Sequence, residues 1–359
     1  MTTSLRGVTN TAPTGSRRAS LPGRRPRSRT VPRVTGAPRT RRWWRIGLIA
    51  VAVIVTATVG FGLAVWSRID RRHLTLPGSA GGTTYLIVGS DSRAFVQSAS
   101  DRARFGSSTN VVGERADVLL VVRRVGSTTT VMNIPRDLVV ISAQGAPTRI
   151  TMSLSAGLQS LVDVTCHSLG IGVDHVALVH FDGLRDAIDA VGGIDVAVPT
   201  PIRDTTTGLD IRRAGTSRLD GQQALALVRS RTGERLVNNK WEPEPPSASE
   251  RGGRAATVLR ALGARAPVSL TTPIVDAEKL WAFAGAVTVD DGLGPSGLRA
   301  LASILQSLHT ATRADLPVAF HPGVVPEALA RPAAVTMLRH FQQPSANCTP
   351  RLPTLRSGG

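Results

Sequence analysis

"GVDHVALVHFDGLRDAIDAVGGIDVAV", Gly172 to Val198, changes its hydrophobic period twice. Val176 to Phe181 is an apolar run interrupted only by His180, the composition of a strand buried on both faces. Leu184, Ile188 and Val191 then recur at spacings of three and four, which predicts a helix. Gly192 and Gly193 supply the left-handed backbone on which helices stop, and Ile194 to Val198 reads as strand again. Strand, helix and strand in so short a stretch predict an α/β sandwich, one layer of sheet between layers of helices.

The flanking sequence continues this alternation. Tyr85 to Val88 reads as a strand that stops at "GSDSR", Gly89 to Arg93. "ERAD" precedes the apolar run Val118 to Val122, and a turn at Gly126 leads into Thr130 to Ile134, which is closed by Pro135, Arg136 and Asp137. Leu154, Leu158, Leu161, Val162 and Leu169 predict one helix over Ser153 to Leu169. In "LDGQQALALVRSR", Leu219 to Arg231, Asp220 is a helix N-cap and Gln223 completes a capping-box pattern. Thr232 to Ala248 contains "EPEPP" and predicts an exposed loop without regular structure. Helix resumes near Ser249 and runs to about Ala264, and Val287 to Leu308 adds a turn and a further helix. The domain is expected over 83–341, with 342–359 as a loose, proline-rich tail. Cys166 and Cys348 leave two readings open, a bridge or two separate thiols, and neither stands at metal-site spacing.

The net charge of +18 is unevenly spread. Residues 1–45 hold twelve Arg and no Asp, Glu or Lys, a composition that cannot bury a core and predicts a disordered basic arm. Ile46 to Trp66 is 21 residues without a charge, about the thickness of a bilayer core as a helix, with Trp43, Trp44 and Trp66 at its ends as interfacial anchors. The run is longer than a signal-peptide core and no A-x-A site follows, which favours an uncleaved anchor. The arm then stays in the cytoplasm, 67–82 is a short linker, and the domain lies outside the cell membrane. The arm has neither a helix-turn-helix pattern nor interleaved aromatics, so no nucleic-acid partner is expected. Of 43 basic residues only Lys240 and Lys279 are lysines, the bias of a GC-rich genome such as an actinobacterium's.

Three strand ends carry acids and arginines together: Asp91 with Arg93, Arg115 with Asp117, and Arg136 with Asp137. One such pair would be an ordinary surface ion pair. Joined by Arg229 and Arg231 at a helix end, and by Arg251 and Arg254 one turn apart, they would gather at least five guanidiniums near two or three carboxylates. Such a gathering repels itself unless an anion sits in its centre. A diphosphate fits, because planar guanidiniums grip phosphate oxygens in pairs. Two carboxylates beside those oxygens suit Mg²⁺, and the chemistry implied is phosphoryl transfer. The seven histidines are scattered, and no G-x-S-x-G or phosphate-loop motif occurs.

"YLIVGSDSR", "GERADVLLVV", "NIPRDLVVI", the opening stretch, "LDGQQALALVRSR" and "ERGGRAATVL" stand in this order behind one anchor. The series resembles the LytR-CpsA-Psr family over roughly 83–265. The resemblance implies a three-layer αβα sandwich with a central mixed sheet. It also implies a Mg²⁺-dependent phosphotransferase that moves a glycopolymer from a polyprenyl-diphosphate carrier to a peptidoglycan hydroxyl, with pyrophosphatase as a side activity. By the same resemblance Asp91 and Asp117 are the metal-associated acids. Arg115, Arg136, Arg229 and Arg231 hold the diphosphate, Arg254 matches a further family arginine with Arg251 beside it, and Arg93 completes a motif of that set. Arg115, Arg136 and Asp137 are the expected catalytic residues, with Asp137 assisting deprotonation of the incoming hydroxyl. The chain departs from the family at Ala255, where Gln is usual, at Ala248, where an acid is common, and at Arg149-Ile150-Thr151, where K-I-N is frequent. Ala255 keeps a second reading open, a non-catalytic relative that binds lipid-linked intermediates as a scaffold of wall assembly.

Overall fold

The computed structural model describes residues 40–90, 114–230, 233–244, 248–265, 276–307, 311–321, 327–341 and 348–354. Asp91, Arg93, Arg231 and the arm before residue 40 lie outside the described residues, and Arg251 is described in its backbone alone. The chain divides into two compact units, 1–53 and 54–359. The described part of the first is the start of helix α1 (Thr40–Arg68). Trp43 to Arg68, with a mean hydropathy of 2.5, is long and apolar enough to cross a membrane, which suits a single-pass anchor.

In chain order the second unit continues with β1 (Asp70–Arg72), β2 (Thr83–Ser90), β3 (Ala116–Val125), β4 (Thr128–Ile134), β5 (Val139–Ile141), β6 (Pro147–Arg149), α2 (Ile150–Ser153) and α3 (Leu158–Leu169). Then come β7 (His175–His180), α4 (Phe181–Ala190), β8 (Ile194–Val198), β9 (Ile202–Asp204), β10 (Leu209–Ile211), β11 (Gly215–Leu219), α5 (Gly221–Arg229), β12 (Glu234–Val237) and β13 (Lys240–Pro243). The remainder is α6 (Ala248–Arg265), α7 (Ala277–Ala286), β14 (Val287–Asp290), α8 (Pro295–Ser307), β15 (Thr312–Asp315), β16 (Val318–His321), β17 (Glu327–Ala330) and α9 (Pro332–Phe341).

The main sheet has seven strands in the order β1-β14-β7-β2-β3-β4-β15. It is mixed: β2 runs parallel to β7 and antiparallel to β3. Alternate residues serve opposite layers. Tyr85, Ile87, Val118, Leu120 and Val122 pack under α4, α5, α6 and α8, whereas Leu86, Val88, Leu119 and Val121 pack under α2, α3 and α9. Burial on both faces explains why "DVLLVV" reads as a continuous apolar run, and it makes the expected αβα sandwich.

Several elements differ from the sequence expectation. The supposed linker contains β1, which pairs in parallel with β14 at the sheet edge. The stretch read as a loop holds the β12–β13 hairpin, turned by Asn238 and Asn239 at φ 48° and 63°, the left-handed pair that a tight hairpin needs. Val287 to Asp290 is a strand rather than a turn. β8 leaves the main sheet and pairs with β11 instead, so its outward side chains alternate with buried ones. The helix expected over Ser153 to Leu169 is broken at Gly157, where φ is 107°. The tail is not loose throughout: Cys348 is disulfide-bonded to Cys166 on α3 across 182 residues, and Arg351 N–H donates to the His167 carbonyl at 3.0 Å.

Candidate functional site

Strand register builds the site. Ser90 closes β2 opposite Ala116, the first residue of β3, and beside His180, the last of β7. Leu119 of β3 faces Ile134, the last residue of β4. The carboxyl ends of β2, β4 and β7 and the amino end of β3 therefore share one edge, the side of an α/β sheet where ligands collect. A register shift between Gly89 and Ser90 bends β2 there. Arg115, Asp117, Arg136 and Asp137 all fall on this edge, and Asp91 follows Ser90 directly in sequence.

Pro135 has no N–H to continue the ladder. Leu138 N–H donates to the Pro135 carbonyl at 3.0 Å, so Arg136 and Asp137 form the corners of a β-turn. Neighbours brace that turn. Thr151 N–H donates to the Arg136 carbonyl at 3.1 Å, and Ala328 N–H to the Asp137 carbonyl at 2.9 Å. Arg136 pairs with Asp117 through Nη1, and its Nε lies 3.5 Å from Asp137 Oδ1; Arg149 Nη1 is 3.6 Å from the same oxygen. The side chains of Asp117, Arg136 and Asp137 are only 12%, 16% and 4% exposed. A lone buried pair often returns less than its desolvation cost, but here two arginines and two carboxylates balance in one network. Arg149, outside the expected site, is the member that completes it.

Two residues before Asp117, Arg115 keeps a buried Nε with no hydrogen-bond partner among the described residues, and the Thr151 and Ser153 hydroxyls of α2 are buried in the same condition. Buried donors without acceptors are costly. An anionic ligand would supply one to Arg115.

Glu114 was not expected in the site. Its carboxylate accepts from Ser90 Oγ and lies 3.8 Å from His180 Nδ1. His180 Nε2 meets Thr288 Oγ1 at 2.8 Å, and Thr288 donates to Asp70 Oδ2 at 3.1 Å. A polar row thus crosses the sheet from the site to β1. Burial holds the His180 pKa below its ordinary value, opposed by the Glu114 carboxylate. The sequence carried only the acid of "ERAD" and a histidine at a strand end; register alone joins them.

Arg229 stands in the last turn of α5. Arg254 reaches the end of that helix, with Nη1 3.4 Å from the Ser230 carbonyl, but its Nη2 is bonded to Glu244, which also holds Arg235. Its charge is therefore met by Glu244 and not by Asp117 or Asp137. A cavity of about 310 Å³ opens beside it, lined by Val198, Thr200, Leu227, Arg235, Arg254 and Thr257 among others.

A small apolar void of about 20 Å³ lies between Ile87, Gly89, Val118 and Val179 of the sheet and Phe181, Leu184, Val228, Ala255 and Leu259 of α4, α5 and α6. Its walls are chain neighbours of the charged residues: Gly89 precedes Ser90, Val118 follows Asp117, Val228 precedes Arg229, and Ala255 follows Arg254. A Cβ on Gly89 would stand 3.0 Å from Val118 Cβ on the paired strand, so glycine permits this close approach of β2 and β3. The void has room for about one water, and it is the charged edge that suits an anion.

Comparison with known proteins places this architecture. The LytR_cpsA_psr family model matches residues 68–238. The probable cell wall biosynthesis protein LcpB of Corynebacterium glutamicum is 31% identical over 194 residues, covering 52% of this chain and 46% of that protein. The polyisoprenyl-teichoic acid–peptidoglycan teichoic acid transferase TagT of Bacillus subtilis is 26% identical over 216 residues, covering 54% of this chain and 64% of that one. The chain thus spans about half the length of the first of these relatives. The solved structure of a LytR-Csp2A-Psr enzyme from Actinomyces oris superposes with a TM-score of 0.62 at 30% identity, covering 79% of this chain and 99% of that one. With the strand-end motifs meeting at one sheet edge and this match over nearly the whole of a solved relative, the chain belongs to the LytR-CpsA-Psr family.

Proposed function

We propose that the chain is a membrane-anchored phosphotransferase that moves a glycopolymer, with its first phosphate, from a polyprenyl-diphosphate carrier to a peptidoglycan hydroxyl. The observation that carries this reading is the meeting of Arg115, Asp117, Arg136 and Asp137 at one sheet edge, with the Arg115 Nε buried and lacking an acceptor among the described residues. A diphosphate would meet Arg115 and Arg136. Relatives named as cell-wall biosynthesis proteins and teichoic acid transferases support the same substrate class. The twelve arginines before the anchor would hold the N-terminus in the cytoplasm and set the domain outside.

Asp117, with Asp91, would hold Mg²⁺. Among the described residues no group of three or more His, Cys, Asp or Glu converges on one point. Mg²⁺ commonly takes part of its coordination from substrate phosphate oxygens and water. When bound, the ion supplies charge neutralisation to the phosphates. Arg115 donates to a phosphate oxygen through its buried Nε, Arg136 orients the leaving phosphate, and Asp137 with Arg149 fixes the turn that presents Arg136.

Incubating the full chain in detergent with a polyprenyl diphosphate and Mg²⁺, and measuring released phosphate, tests the activity through its pyrophosphatase side reaction. Turnover that is lost in Arg115→Ala supports the reading. Binding of the lipid without turnover would replace it with the scaffold reading that Ala255 keeps open.

A further inference from the structure

Helix α1 enters the domain without a flexible joint. Ile69 alone separates it from β1, and Ile69 is 8% exposed in the core. Val65 and Trp66 on the last helical turns pack against that core. The helix end is also clamped to α7. Arg68 Nε donates to the Trp281 carbonyl at 3.1 Å, and the Arg68 guanidinium lies 4.6 Å from the centre of the Trp281 ring. Gly285, one turn further along α7, makes room for this: a Cβ there would stand 2.8 Å from Arg68 Nε. Arg71 lies over Trp66 in the same manner, 4.7 Å from its ring.

Trp281 itself is 42% exposed, on the α7 stripe formed by Glu278, Trp281 and Gly285 that faces outward. An exposed tryptophan beneath an arginine, touching the last turn of an apolar helix, occupies the level at which amphipathic rings and cationic heads meet a bilayer. A rise of about 1.5 Å per residue puts Arg68 within about 3 Å, along the axis, of Trp66, the residue that closes the uncharged run.

We propose that the outward face of α7, centred on Trp281, is a membrane-docking surface that rests in the headgroup layer of the lipid bilayer, so that the domain lies on the membrane and does not swing above it on a tether. The surface rests on the reading of α1 as an anchor. Its local charge is nearly balanced, since Arg68, Arg71, Arg72 and Lys279 stand among Asp70, Asp276, Glu278 and Asp291. The partner is therefore the interface of a phospholipid leaflet, recognised by indole and guanidinium, and not a strongly anionic lipid in particular.

The full chain reconstituted in phospholipid nanodiscs, with and without bromine on the acyl chains near the headgroup, separates the outcomes. The fluorescence difference between the unaltered chain and Trp281→Phe isolates Trp281, and the difference against Trp241→Phe isolates an indole elsewhere in the domain. Bromination should cut the Trp281 signal by half or more and leave the Trp241 signal unchanged. An unquenched Trp281 beside quenched residual emission from Trp43, Trp44 and Trp66 overturns docking while the anchor stands. Residual emission that is also unquenched overturns the anchor. Hydroxyl-radical footprinting of the unaltered chain gives the same answer without a substitution: Trp281 should be oxidised severalfold less in nanodiscs than in detergent-free denatured chain, with exposed Phe320 as reference, and equal oxidation of both residues overturns the proposal.

Discussion

Replacing Arg136 by Ala tests whether the strand-end charges form one energetic unit. Arg136 is the shared partner of Asp117 and Asp137, and all three side chains are at most 16% exposed. At 3.5 Å from Asp137 and an effective dielectric of about 20, the Coulomb attraction is about 5 kcal/mol before desolvation is subtracted. Removing one member of a buried pair typically costs about 3–5 kcal/mol, because the other charge stays buried. Arg149 still faces Asp137, 3.6 Å away. Thermal unfolding of the full chain in detergent, followed by tryptophan fluorescence, should shift down by roughly 6–20 °C, given about 2–4 °C per kcal/mol for a domain of this size class. Adding Asp117→Asn to Arg136→Ala removes the carboxylate that Arg136 faced and should recover at least about 1 kcal/mol. If the two substitutions instead add to within about 0.5 kcal/mol, the residues are energetically independent and the network reasoning is wrong.

Ala255 is 3% exposed beside a void of only about 20 Å³, so Ala255→Phe should overpack the α6 layer by about 1–3 kcal/mol and lower the unfolding temperature; an unchanged temperature would show that the layer yields without strain. Cys348→Ser opens a loop of 182 residues and should cost up to about 5 kcal/mol in the chain-entropy treatment, read as a lower urea midpoint that reductant does not lower further. His180 is held below its ordinary pKa by burial, so the unfolded chain takes up a proton at higher pH than the folded one. Its contribution is fully present above the unfolded value of about 6.5 and is lost as pH falls toward the depressed folded value. His180→Gln should therefore flatten the decline in unfolding temperature below about pH 6.5, and an unchanged slope would assign that decline to other groups.

The elements that sequence periodicity reveals best are those whose partners are near in the chain. α4 forms where Leu184 and Ile188 mark it and stops before Gly192 and Gly193, because stripe and stop are local, although it starts at Phe181, which reads as the end of the strand. At α5, Asp220 accepts from Gln223 N–H at 2.8 Å as the pattern requires, although the return half of the box is not made, since Gln223 Oε1 is buried without a partner among the described residues. β1 was illegible because "DRR" has no apolar residue and its partner strand lies more than 200 residues away. The β12–β13 hairpin hid behind its proline and charge content, though the Asn238-Asn239 pair was a usable turn signal. "IDVAV" also carried a signal for leaving the sheet, because its alternation fits a strand with one wet face and not a central one. Within the site, "PRD" and "RAD" were visible as motifs. The braces were not: Arg149 and Glu114 join only through strand register, and Glu244 lay in the stretch read as loop.

The Cys166–Cys348 bridge also orders the making of the protein. Cys166 is synthesised 182 residues ahead of its partner, which at roughly 5–20 residues per second leaves it a lone thiol for on the order of ten seconds or more. In the bridged fold Cys166 is only 3% exposed, so an oxidant must reach the two sulfurs before the tail is fully seated on α3, and an interrupted chain would carry α3 without its bolt.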